Sequence, residues 1–233
     1  MISERAPSAE LRARVLAEVA RTPSQTRVEY NRRIFLVAGI GALATVSLFM
    51  GMGGMSSGSR PVEMIAFTVG FGLVAVAVLT RLSSRSGDNR SMLGRPRGVL
   101  LAAVVACAPL LAIVAVLATM LWPEPAAEHV EGGVHLACGA MSVLQGALPL
   151  VALMLPRRGS DPVHPAVTGA ALGMTAGAWT VVMAYLRCPH GSALHCVLAH
   201  VAPTLILTAL GAVLGWVFLR VRTTPGAMSA SDP

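Results

Sequence analysis

Residues 98–122 read GVLLAAVVACAPLLAIVAVLATMLW, a run of twenty-five without a charged side chain. A helix needs about 20 apolar residues to cross a hydrocarbon core of about 30 Å. Five further stretches meet that requirement: Ile34–Met52, Pro61–Thr80, Gly133–Leu155, Val163–Leu186 and Ala199–Leu219. Short segments rich in Gly, Pro, Ser and Arg separate them. A lone strand leaves its backbone unsatisfied in lipid, so the spans are expected to be helices. No period-2 alternation suggests a barrel. The expected fold is all-α, a polytopic membrane protein with six transmembrane helices.

Composition agrees. Of the 233 residues, 55% are hydrophobic and 12% are charged. Soluble domains carry roughly 25% charge. A compact soluble protein of this length could not hide so much apolar surface. That argues against a soluble enzyme, a nucleic-acid-binding domain and a disordered chain.

The net charge of +7 comes entirely from arginine, since the chain has no lysine. The arginines fall in alternate connections. The segments before span 1, between spans 2 and 3, between spans 4 and 5, and after span 6 hold 7, 5, 2 and 2. The opposite side holds only Arg60 and Arg187. The positive-inside rule then places both termini in the cytoplasm. The charge is a topology signal, and no direct nucleic-acid partner is expected. The arginine-rich opening is not a signal peptide, so span 1 reads as an uncleaved anchor.

Almost nothing ionisable lies deep in the spans. Glu63 is near the outer end of span 2, and Gln145 is the main strongly polar group inside span 4. Ion-coupled carriers keep charged groups along their path because such groups are costly in lipid. Pro109, Pro149 and Pro203 are expected to kink their helices for packing. Gly169, Gly173 and Gly177, with Gly211 and Gly215, form strips for close helix approach. Packing within one bundle is the simpler use of them, and a homodimer is the other.

Polar chemistry gathers at the outer side. Glu124, Glu128, His129, Glu131, His135 and Cys138 belong to the span 3–4 region. Cys188, His190, His195, Cys196 and His200 surround the span 5–6 loop. His135 and Cys138 are three apart, and Cys196 and His200 four apart, so each pair shares a helix face. Thiolate and imidazole suit zinc and other soft or borderline metals. The seven candidate ligands are His135, Cys138, Cys188, His190, His195, Cys196 and His200. An oxidising compartment instead allows a disulfide from Cys138 to Cys188 or Cys196. A redox switch would use the same atoms. No organic cofactor is indicated. Cys107 reads as a small core residue. Met50, Met52 and Met55 read as apolar fillers, although thioethers also bind copper(I).

Residues 8–21 read as a short amphipathic helix. Ser8 is its N-cap, and Leu11, Val15 and Val19 form a strip with Leu16 beside it. Arg12, Arg14, Glu18 and Arg21 cover much of the rest. A helix this short needs a partner, either the lipid surface or a protein groove.

The whole chain resembles the six-span membrane anti-sigma factors of the negative-regulator-of-sigma-F type. The resemblance rests on Ala137-Cys138, Ala147-Leu148-Pro149, Arg157-Arg158-Gly159 and the glycines of span 5. It continues through Tyr185-Leu186-Arg187-Cys188-Pro189 and the Pro203…Leu210-Gly211…Leu214-Gly215 end. Residues 7–16 resemble the cytoplasmic opening of bacterial membrane anti-sigma proteins. A myxobacterial membrane anti-sigma factor of light-induced carotenoid synthesis has a similar size and layout.

The resemblance implies a regulator and not an enzyme. It would hold an extracytoplasmic-function sigma factor at the bacterial inner membrane and release it on an outer-side redox, metal or light-derived stress signal. Residues 1–33 would bind the sigma factor through Leu11, Arg12, Val15, Leu16 and Val19. Residues 34–222 would form the sensor in the lipid bilayer, and 223–233 a disordered cytoplasmic tail. Cys138 and Cys188 match family cysteines implicated in sensing, and Cys196 joins them as a sensing candidate. His195, Cys196 and His200 go beyond the family pattern. The alternatives are a metal permease using the outer His/Cys cluster and a membrane redox or haem protein with His135 facing His200.

Overall fold

A computed structural model describes residues 27–55, 60–84, 97–123, 132–157 and 164–219, together with Glu10, Ala13 and Ala17. Its regular structure is helical throughout the described residues. The helices are α1 (Arg27–Gly51), α2 (Val62–Ser84), α3 (Arg97–Leu121), α4 (Gly132–Met154), α5 (Pro165–Arg187) and α6 (Ala193–Phe218). A 3₁₀ turn, Leu155–Arg157, extends α4. Helices α2 to α6 are long and apolar enough to cross a membrane. In α1 the described apolar stretch is shorter, Gly39–Gly51.

Helix α5 is the centre of the bundle. It packs against α6, α2, α4 and α3. It is the least apolar of those five helices, yet 72% of its most apolar stretch is buried. The two facts agree, because a helix surrounded by other helices is not selected for solubility in lipid. Small residues let its neighbours close in. A Cβ on Gly173 would sit 2.1 Å from the Leu207 carbonyl oxygen, and one on Gly169 would sit 2.2 Å from that of Gly211. A Cβ on Gly215 would meet the Pro165 carbonyl at 2.4 Å. The two glycine strips therefore face each other between α5 and α6. They are consumed within one chain and offer no face to a second copy.

Large apolar side chains point outward around this centre. Leu43, Val62, Met120 and Leu136 are each at least 70% exposed. An apolar exterior of this kind suits lipid, since soluble monomers rarely expose large contiguous apolar patches. Buried hydroxyls are satisfied locally. Those of Thr68, Thr175, Thr180 and Thr204 donate to carbonyls of Met64, Ala171, Gly177 and Val201, each in the preceding turn.

The start of α6 differs from the sequence expectation. The helix begins at Ala193 and not at Ala199, because Ser192 caps it by accepting the His195 backbone N–H at 3.3 Å. His195 and Cys196 therefore lie in its first turns and not in a loop, one to two turns ahead of the expected start. Cys196–Val201 is wound as a π turn. Pro203 follows and has no N–H for the turn before it. The Ala199 carbonyl, four residues back, accepts instead from the Ser142 hydroxyl on α4 at 3.1 Å.

The C-terminal ends of α1, α3 and α5 and the N-terminal ends of α2, α4 and α6 lie at one end of the bundle. Phe67 and Trp122 pack as tilted rings with centroids 5.7 Å apart. Arg60 donates to the His190 carbonyl, and Arg187 to that of Met52. The six helices thus alternate in direction.

A candidate thiol–imidazole site

At that shared end, α4 contributes His135, Cys138 and Ser142. The α5–α6 connection contributes Cys188 and His190. The first turns of α6 contribute His195, Cys196 and His200. One ligand atom each from Cys138, Cys188 and His195 lies within 4.8 Å of the other two. His195 is fully buried and Cys188 nearly so. The Cys188 Sγ is 3.3 Å from His195 Nε2. The other ring nitrogen of His195, Nδ1, is 3.0 Å from His135 Nδ1. Burial pushes the Cys188 thiol up to about 11, with the hydrogen bond to His190 acting in the opposite direction. The thiol therefore rests protonated at neutral pH.

The remaining expected ligands surround this set. The His190 ring packs edge-on to His195 at 5.3 Å, and its carbonyl is 3.9 Å from both Cys188 Sγ and Cys196 Sγ. His200 Nδ1 is 3.1 Å from the Ser142 hydroxyl, and its ring is 5.1 Å from that of His195. Cys196 is outside the 4.8 Å set and is buried in the core cluster that contains Cys107 and Tyr185. None of the four cysteines, all among the described residues, is joined in a disulfide. Leu11, Arg12, Val15, Leu16 and Val19 lie outside the described residues, as do Glu124, Glu128, His129, Glu131 and residues 223–233.

A cavity of about 350 Å³ opens beside the thiols. Cys138, Cys188 and His200 line it together with Met52, Met141 and Met183. Of the α1 methionines, Met52 reaches this cavity, whereas Met50 and Met55 are well exposed. Gln145, also on the wall, donates to the Met52 sulfur at 3.6 Å.

Three residues at this end escaped the sequence reading as parts of the site: Ser142, Arg60 and Arg187. The two arginines had a visible signal. They are the exceptions to the 16-to-2 charge bias, and each ties one connection to another. The Arg60 guanidinium also sits 5.8 Å over the Tyr185 ring.

The family model described as negative regulator of sigma F matches residues 16–221. The chain belongs to that family. It is similar to the anti-sigma-F factor NrsF of Caulobacter vibrioides (strain NA1000 / CB15N), with 28% identity over 193 residues. The match covers 79% of this chain and 86% of the relative. No solved structure matches the chain. The family is a regulatory, non-enzymatic one, and membership points to negative regulation of a sigma factor. Within it, the Cys138 and Cys188 thiols meet in space from two different elements.

Proposed function

We propose that this protein holds an extracytoplasmic-function sigma factor at the bacterial inner membrane and releases it when a thiol-reactive signal reaches the site at the outer end. In this reading α1 is the sixth span and both termini are cytoplasmic. Residues 1–33 bind the sigma factor, with Leu11, Arg12, Val15, Leu16 and Val19 as the contact strip. Residues 34–222 form the sensor domain, and 223–233 trail in the cytoplasm. The arginine asymmetry supports the orientation.

The observation that carries the mechanism is the tie between Arg187 and the Met52 carbonyl. Arg187 immediately precedes Cys188. Met52 closes α1, and the opposite end of α1 leads to the N-terminal segment. A change at the thiols then acts on a helix that runs to the sigma-binding end. Such coupling needs a contiguous packed element with two arrangements. Helix α1 packs along α4, which carries Cys138.

A metal permease fits less well. Among the described residues no Asp or Glu is buried inside the bundle to carry a cation through it.

The test is co-purification of the full-length chain with sigma factors from solubilised membranes, alongside a reporter for the captured factor. Replacing Leu11, Val15 and Leu16 by Ala should abolish capture and switch the reporter on without a signal. Full repression by that variant would overturn the assignment of the N-terminal strip.

A further inference from the structure

We infer that the cavity walled by Met52, α4 and α5 binds a lipid-soluble quinone, whose two carbonyl oxygens take over the donors of Gln145 and Arg187 that otherwise hold Met52. Gln145 is a strongly polar residue inside α4, and it is buried. Its side chain makes one hydrogen bond among the described residues, donating to the Met52 sulfur at 3.6 Å. A thioether is a weak acceptor. Burying an amide is costly unless it is well hydrogen-bonded. The Gln145 donor therefore stands ready for a better acceptor than the one it has.

Arg187 lines the same cavity and donates to the Met52 carbonyl. Donors from α4 and α5 thus converge on one residue, at two acceptors no further apart than one methionine side chain. A quinone carries the same pattern, two carbonyl acceptors on opposite sides of one apolar ring.

The remaining wall suits such a ring. Met141 and Met183 supply polarizable side chains that adapt to a flat ligand. The volume of about 350 Å³ is small for a ligand site, since such sites span about 300–1,000 Å³. It holds one substituted ring, with an isoprenoid tail left in lipid, and is too small for a phospholipid. Ala137 and Met141 on its wall are exposed at the outside of the bundle, which gives access from the lipid side.

No covalent bond forms or breaks on binding. The quinone replaces Met52 as the acceptor and frees the end of α1. That consequence deepens the proposed sensory role and rests on it, whereas binding is a property of the purified chain.

The full-length protein in detergent would be titrated calorimetrically with trimethyl-decyl-benzoquinone, whose ring has no free carbon for thiol addition. One molecule per chain is expected. The arene carrying the same four alkyl groups, without carbonyls, should bind at least about tenfold more weakly. Gln145→Leu should weaken quinone binding by about tenfold, and Arg187→Met by about 10- to 100-fold. Met52→Leu keeps an apolar side chain and removes the competing sulfur, so it should tighten binding by about threefold. A residue that only stabilised the bundle would give no such gain.

Photolabelling of the unaltered chain with an azidoquinone gives a readout independent of any variant's folding, and the label is expected on α4 or α5 near Gln145 or Met183. Absence of saturable binding, equal affinity for the arene, or unchanged affinity in folded Gln145→Leu would overturn the site. Labelling confined to other helices would overturn it too. Sigma-factor capture is read with a reporter in cells and quinone binding in solution, so failure of either is distinguishable from failure of the other.

Discussion

His135 and His195 share a hydrogen bond between like atoms, Nδ1 to Nδ1 at 3.0 Å. One ring must carry its proton there and the other must not, so the two neutral imidazoles take opposite tautomers. With the proton on His195, its Nε2 is left as an acceptor toward the Cys188 thiol at 3.3 Å. A relay from thiol to imidazole to imidazole thus joins the α5–α6 connection, α6 and α4.

That relay gives Cys188 a characteristic reactivity. Its thiol is pushed up to about 11 by burial, so thiolate is scarce at neutral pH. The thiolate is the reacting species. Alkylation of Cys188 in the metal-free protein should therefore be slow at pH 7 and rise about tenfold per pH unit between pH 8 and 10. Mass spectrometry of the labelled peptide checks this. A rate that levels off below pH 9 would contradict the buried, protonated thiol.

The Ser142 hydroxyl, also within reach of the Cys138 carbonyl, joins two buried groups on α6: it donates its one proton to the Ala199 carbonyl, and its oxygen accepts from His200 Nδ1–H. Ser142→Ala leaves both without that partner. Unsatisfied buried polar groups cost about 1–3 kcal/mol each. A lowered melting temperature in detergent is expected, with the mutant still helical at room temperature. An unchanged melting temperature would show that the contact contributes nothing.

The glycine strips give a paired prediction. Gly173→Ala forces a Cβ to 2.1 Å from the Leu207 carbonyl oxygen, where only backbone can yield. Overpacking of this kind costs about 1–3 kcal/mol or more. Gly70, on the exposed side of α2, has open space at its Cβ position. Gly70→Ala should leave thermal stability unchanged or slightly raised, because Ala restricts the backbone. Equal losses for the two would contradict the α5–α6 contact.

Arg187 is the link from the site to α1. Arg187→Met keeps an apolar stem but loses the donors that hold the Met52 carbonyl. Under the proposed mechanism the variant should still capture the sigma factor, while its response to a thiol-reactive agent falls sharply. A reporter with a dose series measures this. A normal response would remove Arg187 from the signalling path.

The glycines and arginines also show how far the sequence could be read. The four-residue spacing of Gly169, Gly173 and Gly177 announces a close contact without naming the partner. Only the packing of α5 on α6 chooses the intrachain face over a second copy. Arg60 and Arg187 stand out as exceptions in the charge count, but their acceptors are 130 and 135 residues away in sequence. No local pattern encodes contacts of that range. The start of α6 was misplaced for a different reason. His195 looks too polar for a span by hydropathy, yet it is fully buried, with the Cys188 thiol and the His135 imidazole as partners of its two ring nitrogens.

By itself the sequence determined the class of molecule, the apolar helices, the charge asymmetry and the gathering of histidine and cysteine at one end. Each of these is a property of local runs, because lipid selects apolar length and the membrane surface selects where arginine lies. The tertiary structure alone decided which of those side chains meet. Facing direction turns by about 100° per residue around a helix, and the π turn at Cys196–Val201 adds a further rotation. Spacing put Cys196 and His200 on one face. The folded bundle adds that Cys196 is buried in the core and that His195 stands between Cys188 and His135.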